Sequence, residues 1–139
     1  MYGMLDISTS GMIAQRERMT AIAANLANRS SLEPDGTPYR ARQAFFAAGD
    51  PRSRTPHGRK MGVHIDRVEV DQSPFNLRWD PSDPRAMKTG PQKGYVQESN
   101  VNPIVEQVNA IQASRAYEAN VVAAEATKSM MAQALRLIA

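Results

Sequence analysis

The sequence predicts a mainly α-helical chain with a small β-rich insertion, its N- and C-terminal helices forming an axial, coiled-coil-like core. Three observations carry that prediction. All nine prolines fall between Pro34 and Pro103, so two proline-free ends flank a punctuated middle. Apolar residues recur in both ends at seven-residue or 3-4 spacing. The middle instead holds short runs of β-branched and aromatic residues bounded by turn chemistry. The implied division is a core helix in 1–28, a β-rich and loop-rich insertion in 29–94, and a second core helix in 95–139, the two ends together forming one domain.

In the N-terminal segment Leu5, Met12, Met19 and Leu26 lie at intervals of seven, joined by Ile22 and by Gly11, Ala14, Ala21, Ala24 and Ala27. A narrow apolar seam with a small-residue flank permits close helix approach. The helix is expected from about Leu5 to Ala27, stopping near Asn28, because Arg29-Ser30-Ser31 leads into the turn residues Pro34-Asp35-Gly36. Asn25 and Asn28, near its end, carry amides suited either to local capping or to a bond across a subunit boundary.

The C-terminal helix is expected from about Pro103 to the region of Leu137. No glycine follows Gly94, and Ala, Val, Glu, Gln, Met and Leu dominate. Asn102 can cap it with Pro103 at the first helical position, and Glu106 complements the helix dipole. Tyr117, Val121, Ala124, Met131, Leu135 and Ile138 follow 3-4 spacing, interrupted by Lys128. Ile104, Val105, Val108 and Ile111 form a second apolar cluster, and Arg115 and Glu118 are spaced to pair. At about 50 Å this helix overhangs an N-terminal one of roughly 35 Å. A two-helix hairpin cannot cover both seams and the extra cluster, so other subunits must.

In the insertion, Tyr39–Phe46, Val63–Val70 and Phe75–Trp79 read as strands, the last with strict alternation of Phe75, Leu77 and Trp79. In the second, Val63 and Ile65 fall on one face and Val68 and Val70 on the other, which implies a bulge at Asp66-Arg67. Gly94 gives a flexible return to the C-terminal segment, where Tyr95 can bury its ring and hydrogen-bond at its tip.

The formal charge of +3 sits in the middle: residues 29–94 hold twelve basic and eight acidic side chains, while the ends are nearly balanced. The basic loop Arg52–Lys60 would be the nucleic-acid contact of a binding module, but no aromatic interleaves Arg52, Arg54, Arg59 and Lys60, so it reads as solvated and no nucleic-acid partner is expected. Cysteine is absent, which excludes disulfides and thiolate metal sites. His57 and His64 have no ligand companions, and Asp71, Asp80 and Asp83 are scattered among prolines. With no phosphate loop or nucleophile elbow either, no catalytic residue, cofactor or metal is expected. No apolar stretch suits a membrane span, and the start lacks the pattern of a cleavable secretory signal.

Two separated signatures carry a resemblance. Ser10-Gly11-Met12-Ile13-Ala14-Gln15, then Asn25-Leu26-Ala27-Asn28, then Asp35-Gly36-Thr37-Pro38-Tyr39-Arg40 resemble the N-terminal signature of bacterial flagellar rod and hook proteins. Gly94-Tyr95-Val96, Ser99-Asn100-Val101-Asn102, Glu106 and Ala113-Ser114-Arg115-Ala116-Tyr117-Glu118-Ala119-Asn120, with Lys128-Ser129-Met130-Met131, are similar to the C-terminal one. The short length is similar to that of the proximal rod proteins. The resemblance implies a non-enzymatic subunit of the periplasm-spanning rod, exported by the flagellar type III apparatus without a cleavable signal and without membrane insertion. It implies as partners other proximal and distal rod proteins, the adaptor joining rod to membrane ring, and further copies of the chain. On this reading the assembly interface comprises Leu5, Met12, Met19, Asn25, Leu26 and Asn28 from the first helix, with Tyr95, Arg115, Tyr117, Asn120, Val121, Met131 and Leu135 from the C-terminal segment. A soluble coiled-coil adaptor and, more weakly, a nucleic-acid-binding module are the alternatives.

Overall fold

The computed structural model describes residues 2–49, 51 and 60–138. Its elements are α1 (Tyr2–Asn28), β1 (Arg42–Ala48), β2 (Val63–Val70), β3 (Asn76–Trp79), β4 (Tyr95–Glu98) and α2 (Pro103–Ile138). Arg52, Arg54, His57 and Arg59 of the expected basic loop lie outside the described residues.

The helix ends follow local chemistry. Asn28 Nδ2 donates to the Ala24 carbonyl at 2.9 Å as α1 stops, and its own carbonyl accepts from Ser31 N–H at 2.8 Å. The following turn is closed by Asp35, whose Oδ1 accepts from the N–H and hydroxyl of Thr37, with Gly36 at φ +82°. At the start of α2, Asn102 Oδ1 accepts the N–H groups of Ile104 and Val105 at 3.0 and 3.4 Å, the expected N-cap.

The two helices run antiparallel, since Asn25 meets Glu106, Arg18 meets Asn109 and Gly11 lies against Asn120. At this register the start of α1 falls opposite about residue 130, and α2 projects beyond it by roughly 12 Å. The contact differs in character from the expected seam. Leu5, Met12, Met19 and Leu26 are only half-buried, whereas Ser8, Ser10, Gly11, Ala14, Ile22 and Asn25 are the buried positions of α1. Ala113 and Thr127 are the buried positions of α2, with Tyr117, Asn120, Val121, Ala124 and Met131 half-buried. Leu135 is 69% exposed on the projecting end, not packed in the intrachain seam. The physical reason is steric: glycine and alanine bring the backbones close, which displaces long side chains to the margins of the contact.

The β part packs on α1 as an antiparallel pair, β1 with β2, and extends as a second pair, β3 with β4. In the first pair Phe45 faces Arg67 and Phe46 faces Ile65, leaving Asp66 as the extra residue. This bulge resets the alternation, so Val63, Ile65, Val68 and Val70 come to one face. β1 begins at Arg42 rather than Tyr39, because Tyr39 and Ala41 are buried with Val101 in a small cluster beneath the helix start. β4 is a correction to the sequence reading, which placed Tyr95–Glu98 in the helical C-terminal part. It pairs with β3 from Asn76 opposite Glu98 to Trp79 opposite Tyr95, and helix begins only at Pro103. The strand's partner lies in a distant segment, so local periodicity carries little trace of it.

Few apolar side chains are fully covered: among the described residues Ala14, Ile22, Tyr39, Ala41, Val96, Val101 and Ala113 make up the core. The accessible surface is 9747 Å², against about 7,100 Å² for a compact monomer of this 15.3 kDa mass. The chain is therefore elongated and carries surface that a monomer has no means of covering.

Candidate assembly interface

Two surfaces matter, an internal junction that fixes the helices to the insertion and an outer helix face that remains open. The junction is built around Asn25, which is 1% exposed. Its Oδ1 accepts from the Arg42 N–H at 2.8 Å and from the Tyr39 hydroxyl at 3.2 Å. Its Nδ2 donates to the Arg42 carbonyl at 2.9 Å and to Glu106 Oε2 at 3.2 Å. The amide thus stands in for a neighbouring strand at the open edge of β1 and ties that edge to both helices. Burial pushes the Tyr39 hydroxyl above its ordinary 10.0, which keeps it a donor.

Asn100 repeats the device one layer out. Its Oδ1 accepts from Ala41 N–H at 2.8 Å, and its Nδ2 donates to the carbonyl of Asp71 at 3.2 Å. Asn76 Nδ2 donates to Ser99 O at 2.8 Å, and the Arg40 guanidinium lies 4.0 Å over the Phe75 ring. At the far end of the hairpin Ser10 Oγ accepts the Val63 N–H at 3.1 Å while donating to Ile7 O at 2.7 Å. The two sequence signatures therefore meet in space: Asn25, bonded to Tyr39, meets Glu106, and Gly11 lies against Asn120.

The outer surface is the face of α2 turned away from α1. Ile104, at 73% exposed, Val108, Ile111 and Val122, at 63%, share it at helical spacing, with Val105 and Met130 at its margins. Arg115 stands on the same face, and Glu118 accepts from Ser114 Oγ at 3.4 Å instead of pairing with Arg115. On the projecting end Leu135 and Leu137 are bare. An apolar stripe of this length on a well-formed helix is characteristic of a surface covered by partners.

The expected interface residues thus separate. Asn25 is spent inside the chain, with all its amide capacity used, and Asn28 is a local cap at its helix end. Asn120 donates to Ala116 O at 2.8 Å and faces Gly11. Tyr95 stacks edge-on against Trp79 with centroids 4.9 Å apart. Tyr117, Val121 and Met131 flank the intrachain contact, as do Leu5, Met12, Met19 and Leu26. Arg115 and Leu135 are open to a partner. Val122 escaped the sequence reading because Val121 beside it fits the 3-4 series, and only the partner helix shows which of the two points outward.

Charge on the β3–β4 pair is organised as an exposed ladder. Arg78 bridges Glu98 at 2.5 Å and Asp80 at 2.7 Å, and Arg85 bridges Asp83 at 2.9 Å. The hydrogen bond from Arg78 holds the Asp80 carboxyl below its usual 3.8, and the one from Arg85 does the same for Asp83. Among the described residues no group of His, Asp or Glu is arranged to hold a metal ion, and no helix is long and apolar enough to cross a membrane.

Both terminal segments match known protein families. Residues 5–30, nearly all of α1, match the family model described as flagella basal body rod protein. Residues 92–137, which span β4 and almost all of α2, match the flagellar basal body rod FlgEFG protein C-terminal family. Over nearly its whole length the chain is similar to curated relatives with one name, flagellar basal-body rod protein FlgC. It is 38% identical to that of Borreliella burgdorferi and 38% to that of Escherichia coli, each alignment covering 99% of this chain and 97% of the relative. It is 34% identical to that of Bacillus subtilis, covering 96% and 95%. The chain belongs to the flagellar basal-body rod proteins and, within them, to the FlgC family.

Proposed function

We propose that the chain is a structural subunit of the proximal part of the flagellar rod, built into an axial, coiled-coil-like shaft by α1 and α2. The observation that supports this reading most is the two-faced character of α2. One side is occupied by small and polar contacts to α1, and the other presents Ile104, Val108, Ile111 and Val122 to a neighbour. The projection of α2 beyond α1 offers Leu135 and Leu137 to a subunit above or below. The occupants on this reading are further copies, other proximal rod proteins, the distal rod and the adaptor to the membrane ring. Export through the flagellar type III route without a cleavable signal belongs to the same proposal, as does a purely mechanical role without catalysis.

The test is to replace the native gene with one encoding Ile111→Asp or Leu135→Asp. Both side chains are exposed, so the chain should accumulate normally while basal bodies fail to complete and motility is lost. Lys88→Ala, in an exposed loop of the insertion, should remain motile. Full motility in both aspartate variants would contradict the proposal.

A further inference from the structure

We infer that Gly11 and Asn120 form a register key that fixes how far α2 projects beyond α1, and with it the axial contacts the subunit can offer. The consequence for assembly rests on the rod-subunit reading above; the key itself does not. A side-chain carbon at residue 11 would lie 2.8 Å from both the Nδ2 and the Oδ1 of Asn120, closer than carbon approaches such atoms. Asn120 has little freedom to withdraw, because its Nδ2 is bonded back to Ala116 O at 2.8 Å. The hollow over Gly11 is thus shaped to one side chain of the facing helix.

The small apolar side chains of the contact do not choose a register by themselves. Moving α2 by one heptad would bring Ala113 or Thr127 over Gly11, and alanines recur along the whole facing row. Among the described residues three polar contacts between the helices distinguish the observed alignment from the shifted ones: Asn120 in the Gly11 hollow, Glu106 at the buried Asn25 amide, and Arg18 to Asn109 at 3.4 Å. A polar side chain placed in an otherwise undemanding helix seam is an effective means of selecting one alignment.

The absence of cysteine makes the register directly readable by engineered disulfides. In the full chain, Met4→Cys with Thr127→Cys reports the observed alignment, and Met4→Cys with Ala134→Cys reports a shift of one heptad. Each pair is oxidised with and without Gly11→Ala, and with Gly11→Ala combined with Asn120→Ala. Alanine favours helix over glycine, so any loss in Gly11→Ala arises from the contact and not from propensity. The first cysteine pair should cross-link in the parent background, fail with Gly11→Ala and recover in the double variant, where the Asn25–Glu106 bond still holds the alignment. In cells, motility without the cysteines should be lost and regained in the same order. Retention of the first cross-link in Gly11→Ala, or no recovery in the double variant, would overturn the key. Recovery of the cross-link without motility would uphold the key and count against the rod reading.

Discussion

Asn25 shows how a single side chain can hold a fold that has little core. Its amide makes four hydrogen bonds to three residues, and its removal would leave the buried Tyr39 hydroxyl and the part-buried Arg42 backbone groups without these partners. Asn25→Ala should therefore lower the unfolding free energy by about 2–3 kcal/mol, read by urea denaturation of the isolated chain. Tyr39→Phe removes one of those bonds and should lower it by about 1 kcal/mol. Equal effects from the two would show that the amide is not the centre of the junction. The sequence places Asn25 near a helix end and leaves two uses open for it. Only the position of Arg42, seventeen residues on and on another element, decides that the amide serves the interior.

At the scale of elements, the β3–β4 pair depends on a glycine and on exposed ion pairs. Gly94 has φ +86°, and an added side-chain carbon would lie 2.6 Å from the Trp79 ring. Gly94→Ala should cost about 1–2 kcal/mol and displace Trp79 from Tyr95, visible as a change in near-ultraviolet circular dichroism. The lowered carboxyls of Asp80 and Asp83 set the pH response of the same pair. A carboxyl whose folded pKa lies below its unfolded value stabilises the fold above the unfolded value and ceases to do so as pH falls through the folded one. Trp79, the single tryptophan, should thus keep constant fluorescence from neutral pH down to about pH 4 and change below the ordinary aspartate value of 3.8. The groups are exposed, so the change should be small and blunted by salt. A transition between pH 5 and 7 would assign the response to other groups. Of these elements, β2 and its bulge are legible in the order of Val63, Ile65, Val68 and Val70, whereas β4 needs β3 to exist.

For the whole molecule the decisive property is incomplete burial. The surface exceeds that of a compact monomer, and on the last turns of α2 Leu135 and Leu137 are bare. Ordering on assembly should be greatest there. Backbone amides after about residue 130 should exchange rapidly in the isolated chain and become protected in assembled basal bodies, while those around Ala113 are protected in both, as hydrogen exchange would show. Equal protection of the two regions in the isolated chain would mean that the projection is stable without neighbours.

The sequence by itself determined the two proline-free helices, their caps at Asn102 and near Asn28, the overhang, and the family signatures at both ends. These are local properties, written in propensity, period and spacing, and they survive whatever the chain packs against. The tertiary structure alone decided which face of each helix turns inward. Leu5, Met12, Met19 and Leu26 form a regular series, yet the closest contact is made one residue over, by Gly11 and Asn25, because backbones meet where side chains are smallest. The leucine and methionine series and the Ile104 to Val122 stripe are consequently left at the margins and on the outside, where the proposed assembly would cover them.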